Sequence, residues 1–146
     1  MQRFSVALLK CPSLYGLHIH YADLEPQESV DALFGALYAR GLFSVTFVHC
    51  RFAAETALPA LAALIAAGNT KYFSFFNCTT LLHGAQEEHV DALCDAVGRS
   101  ATLRELCLAD VGARDAELTY LGVALRRAMR TACRPPHATR PRLVLY

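Results

Sequence analysis

Leu103-Arg-Glu-Leu106-Cys-Leu108-Ala-Asp-Val111, followed by Leu118, Leu121 and Leu125, is the stretch that decides the fold. Its first part alternates with period two, which puts Leu106 and Leu108 on one face of a short strand. Its second part steps by three and then by four, which puts three leucines on one side of a helix. A strand, a turn and a helix of this size cannot bury both apolar faces alone, so the pattern calls for copies beside it.

Three copies stand upstream. Leu14, Leu17 and Ile19 are followed by Val30, Leu33 and Leu37; Leu42, Val45 and Phe47 by Leu58, Leu61 and Ile65; Phe73 and Phe75 by Val90, Leu93 and Val97. Starts at Leu14, Leu42, Thr70 and Leu103 give periods of 28, 28 and 33 residues. The chain therefore divides into units 14–41, 42–69, 70–102 and 103–139 within one domain. A half-unit, 1–13, has Met1, Phe4 and Leu8 at helix spacing, and 140–146 reads as a terminal strand.

The expected strands are Gly16 to His20, Ser44 to Val48, Tyr72 to Phe76, Glu105 to Ala109, and Arg142 to Tyr146. The helices between them run from Pro26 to about Arg40, from Glu55 with Pro59 in the first turn, from Glu87 to Val97, and from Asp115 to Ala132. Gly41 is placed to end the first in the left-handed conformation, and the next two are expected to stop at Gly68 and Gly98. Thr79 to Gln86 reads as a rim loop, and the proline-rich stretch from Arg134 to Pro141 as a connector.

Leu42-x-x-Val45-x-Phe47-x-x-Cys50-x-Phe52 resembles the leucine-rich repeat signature, Leu-x-x-Leu-x-Leu-x-x-(Asn/Cys)-x-Leu. Leu14 to Leu24 matches with Ala22 at the Asn/Cys place. Phe73 to Cys78 matches with Thr70 where leucine is usual, and Leu103 to Leu108 matches with Val111 at the Asn/Cys place. A 28-residue unit with a full helix is similar to the ribonuclease-inhibitor-like class, also found in intracellular immune receptors. The resemblance implies an α/β fold: a short solenoid whose parallel sheet of about five strands lines the concave side, with helices on the convex side. It implies a protein-binding module without shared catalytic residues, hence no enzyme activity and no cofactor. Two alternatives stand beside it: a regulator of an enzyme, such as a GTPase activator, and a truncated piece of a larger receptor or effector.

On this reading the partner meets the concave face and its rim. The residues expected there are His18, His20, Thr46, Val48, Tyr72, Ser74, Phe76, Glu105 and Cys107, with Gly16, Ser44, Ala109, Val144 and Tyr146 around them. Aromatic side chains on a rigid surface suit a protein interface. The partner is therefore expected to be a protein, with no small-molecule substrate.

Other constellations are weaker. His18 and His20 point the same way and suggest metal ligands only if His49 or Cys107 joins them; two polar residues on a binding face is the plainer reading. Cys50 and Cys78 occupy equivalent places within disulfide reach, yet read as buried reduced thiols. Cys94 reads as packing. Cys107 is the most exposed candidate thiol, with no base beside it for nucleophilic chemistry. Glu87, Glu88, Asp91 and Asp95 read as a solvated helix face. Arg126, Arg127, Arg130, Arg134, Arg140 and Arg142 form a basic C-terminal segment that reads as a solvated end.

The 146 residues, 54% hydrophobic and 18% charged, exclude disorder. A net charge of +1 favours neither nucleic acid nor an acidic partner in bulk. The uncharged run from Thr56 to Thr70 contains Pro59, Gly68 and Asn69 and is shorter than the roughly 20 residues a membrane span needs. The N-terminal stretch lacks the features of a signal peptide. These readings place the chain in the cytoplasm or nucleus, away from membranes, with its six cysteines reduced. Apolar end segments without polar caps point to end-to-end self-association or to further repeats.

Overall fold

The computed structural model describes residues 2–131 and 141–145. In chain order they form α1 (Gln2–Leu9), β1 (Gly16–His20), β2 (Asp23–Leu24), α2 (Gln27–Arg40), β3 (Ser44–Val48), β4 (Arg51–Phe52), α3 (Ala54–Ala67), β5 (Tyr72–Phe76), α4 (Glu87–Arg99), β6 (Glu105–Ala109), α5 (Asp115–Thr131) and β7 (Arg142–Leu145). The fold is α/β. A parallel sheet runs in the order β1-β3-β5-β6-β7, and β2 pairs in parallel with β4. Parallel neighbours need a crossover, which α2, α3, α4 and α5 supply in turn. Each helix packs against the next, from α1 through α5.

Register puts the apolar positions in rows. Leu17, Val45, Phe73, Leu106 and Leu143 face one another across the sheet, as do Ile19, Phe47, Phe75 and Leu108. Phe47, Phe73 and Phe75 are completely buried, whereas Leu17, Ile19 and Leu143 are only partly covered because they lie on the outermost strands. Phe75 stacks on Phe47 at 5.0 Å, and Phe52 meets both rings edge-on at 5.8 and 5.3 Å. This aromatic cluster is the centre of the core.

The residue after each of the first four long strands takes a positive φ: Tyr21 (56°), His49 (53°), Asn77 (52°) and Asp110 (51°). That conformation costs a residue with a side chain on the order of 1 kcal/mol. It is held because the amides continue the ladder: Tyr21, His49 and Asn77 donate to the carbonyls of Val48, Phe76 and Ala109 at 3.0, 2.9 and 2.9 Å. Helices α2 and α3 end as expected, with Gly41 and Gly68 left-handed at φ 63° and 74°.

Several expectations need correction. Helix α4 does not stop at Gly98 but continues to Arg99. Gly98 is buried there, and a Cβ on it would lie 2.9 Å from the Cβ of Ala128, so the missing side chain serves close approach of α5 rather than a turn. Pro59 is the sixth residue of α3, beyond the first turn. The stretch from Thr79 to Gln86 is a loop, but Leu81 and Leu82 are buried in the core at 1% and 2% exposure. In α1 the inward residues are Ser5 and Leu8, while Phe4 is exposed; Met1 lies outside the described residues. In α5, Leu118 is exposed and Leu121, Ala124, Leu125 and Ala128 face inward. The connector 134–140, Ala132 and Tyr146 fall outside the described residues. No helix among the described residues is long and apolar enough to cross a membrane.

Candidate functional site

Alternation leaves the side chains between the buried rows on the opposite, open face of the sheet. Three lines cross it: Gly16, Ser44, Tyr72, Glu105 and Arg142; His18, Thr46, Ser74, Cys107 and Val144; His20, Val48, Phe76 and Ala109. The structure thus brings the predicted residues His18, His20, Thr46, Val48, Tyr72, Ser74, Phe76, Glu105 and Cys107 onto one surface. His18, His20 and Tyr72 are exposed; Thr46, Val48, Ser74, Phe76 and Glu105 are half-buried. Val48 lies directly between His20 and Phe76, so an apolar strip with a polar flank runs along the strand ends.

Cys107 departs from expectation. It is 4% exposed, set between Ser74 and Val144 in register, and burial raises its thiol pKa, with Glu105 adding to the rise. It is a filled position in the surface and not a reactive thiol.

The histidines do not gather further ligands. Three strand spacings separate His18 from Cys107 in register, about 14 Å at the usual inter-strand distance. His49 stacks instead on Tyr21 at 5.1 Å and 5° between planes. Among the described residues no three His, Cys, Asp or Glu side chains converge on a point that would hold a metal ion.

Cys50 and Cys78 lie in equivalent places below the strand ends. The Cys50 sulfur lies 3.5 Å from the carbonyls of Ile19 and Val48, and that of Cys78 lies 3.7 and 3.5 Å from those of Phe47 and Phe76. The neighbouring Cys50 thiol pushes Cys78 above its ordinary pKa, and burial adds to the rise. No disulfide joins Cys11, Cys50, Cys78, Cys94 or Cys107. Cys94 is buried between α4 and α5, and its pKa is pushed up to about 12, first by burial and then by Asp91 and Asp95. Asp91 is not simply solvated: Arg127 reaches it at 3.0 Å. Arg126 bonds the carbonyl of Gly122. The side chain of Arg130 and residues Arg134 and Arg140 lie outside the described residues.

One row was not anticipated. Tyr15, Phe43, Lys71 and Arg104 each stand immediately ahead of a strand. Tyr15 stacks on Phe43 at 4.4 Å, and Phe43 lies 5.1 Å from Tyr72 on the open face. Their spacing in the sequence equals the repeat spacing, which is the signal that would have found them.

No family model, curated protein or solved structure matches this chain.

Proposed function

We propose that the chain is a leucine-rich repeat module that binds a partner protein on the open face of its sheet and performs no catalysis there. Equivalent strand registers, left-handed residues at equivalent places and the paired positions of Cys50 and Cys78 support the repeat reading. Strands about 4.8 Å apart backed by helices that need about 8–10 Å bend such an array toward its strands. The open face is then the concave side.

The observation that carries the binding reading is the strip His20–Val48–Phe76, with Tyr72 at the other end of β5: large side chains, partly exposed, fixed on paired strands. Ordered apolar and aromatic groups bind with little further loss of side-chain freedom. The expected partner is a protein. Affinity capture with wild type, Phe76→Glu and the helix-side control Ala39→Glu tests it. A protein retained by wild type and Ala39→Glu but lost with Phe76→Glu is the expected result. Equal retention by all three would overturn the reading.

A further inference from the structure

The residues ahead of the strands are hydrogen-bonded straight across the sheet. Phe43 N–H donates to the Tyr15 carbonyl at 2.9 Å, Lys71 to Phe43 at 3.0 Å and Arg104 to Lys71 at 2.8 Å; Arg142, the first residue of β7, donates to Arg104 at 2.7 Å. Strand spacing makes this rim a continuous strip. Its first half is aromatic, with Tyr15, Phe43 and Tyr72 in ring contact. Its second half is cationic, with Lys71, Arg104 and Arg142. The Lys71 ammonium stands 5.0 Å from the centre of the Phe43 ring, which joins the two halves.

Lys71, Arg104 and Arg142 form no close ion pair among the described residues. Elsewhere Arg51 pairs with Glu25, Arg99 with Asp95, Arg114 with Glu117 and Arg127 with Asp91, all within 3.5 Å. Glu105 lies in register between Tyr72 and Arg142. Arg104 is half-buried, and its Nη1 is buried without a hydrogen-bond partner among the described residues, so its exposed edge is what a ligand would meet. The opposite rim carries the exposed acids Asp23 and Asp110. Positive charge is therefore concentrated where the strands begin.

We propose that this rim docks an extended acidic peptide segment of the partner protein, with its carboxylates against Lys71, Arg104 and Arg142 and an apolar side chain against Tyr15 and Tyr72. The proposal rests on the open-face reading and names the chemistry of its partner. A carboxylate gains charge-assisted bonds from groups that no internal acceptor occupies, and Lys71 is already oriented by Phe43, which lowers the ordering cost. Single-stranded nucleic acid fits less well. Its binders offer open aromatic faces along a cationic track, whereas Phe43 is already covered by Tyr15 and Lys71.

The test is fluorescence anisotropy with a fluorescein-labelled peptide of repeated Glu-Tyr-Glu-Pro units, its glutamine counterpart, and labelled oligothymidylate. Wild type should prefer the glutamate peptide, and added salt should weaken binding. Lys71→Glu with Arg142→Glu, both at exposed positions, should weaken it at least about tenfold while thermal melts stay unchanged. Arg104→Gln gives a second, milder variant that should weaken binding in the same direction. Equal affinity for the glutamine peptide, no response to these substitutions, or tighter binding of oligothymidylate would overturn the proposal. If wild type ignores the acidic peptide while Phe76→Glu still abolishes capture of a protein, the rim proposal falls and the open-face reading stands.

Discussion

Phe75→Ala and Tyr72→Ala, on the same strand, separate the two faces of the sheet. Phe75 is completely buried and contacts the rings of Phe47 and Phe52. Truncating such a residue costs about 3–5 kcal/mol, through lost transfer energy and the cavity left behind. Tyr72 is 37% exposed and touches Phe43 in a tilted contact, so its loss should cost no more than about 1 kcal/mol. For a chain of this size each kcal/mol moves Tm by about 2–4 °C. Phe75→Ala should therefore melt about 6–20 °C below wild type, and Tyr72→Ala within about 4 °C of it. Thermal melts followed by far-UV circular dichroism, with a urea titration to check that the slope is unchanged, measure both. Equal losses would refute the assignment of faces, and with it the choice of binding surface.

Other substitutions test separate parts of the account. Gly112 has φ 74°, and a Cβ there would run into the backbone carbonyl of Thr79, so Gly112→Ala should destabilise by at least about 2 kcal/mol, and more than Gly41→Ala, in chemical denaturation. Thr70 is 2% exposed with its hydroxyl unpartnered, so Thr70→Val should stabilise by about 1 kcal/mol; a loss of stability would mean that the hydroxyl is satisfied in solution. The raised pKa of Cys94 means that, above its ordinary value of 9.0, the unfolded chain releases a proton that the folded chain keeps until about 12. Its contribution to stability is then present below pH 9.0 and falls as pH rises toward 12. Denaturation of wild type and Cys94→Ala across this range should show their difference shrinking as pH rises, and a constant difference would contradict the burial argument.

The strands were legible because each carries large apolar residues at its second and fourth positions, and β1, β3, β5 and β6 have the expected bounds. The helix ends were less so. Glycine marks a stop when it turns left-handed, as at Gly41 and Gly68, but the same residue at Gly98 stays helical because α5 needs the space. Nothing in the local sequence separates these cases, since the reason lies in another helix. Leu81 and Leu82 interrupt a polar loop without helix or strand period, so their burial depends on how the loop folds back, and only their size hinted at it.

The open face was legible by parity alone, but exposure was not. Alternation assigns Cys107 to the same surface as Ser74, and its burial reflects neighbours contributed by other strands. The strand-start row escaped notice because its members differ in chemistry. Tyr15, Phe43, Lys71 and Arg104 form a series only when their positions, and not their types, are compared.

Site-resolved photo-crosslinking tests the central claim most directly. A benzophenone side chain placed at Thr46, in the middle of the open face, should capture the partner protein, whereas the same probe at Ala39, exposed on α2, should not. Crosslinks from Ala39 with none from Thr46 would place the partner on the helices and contradict the account.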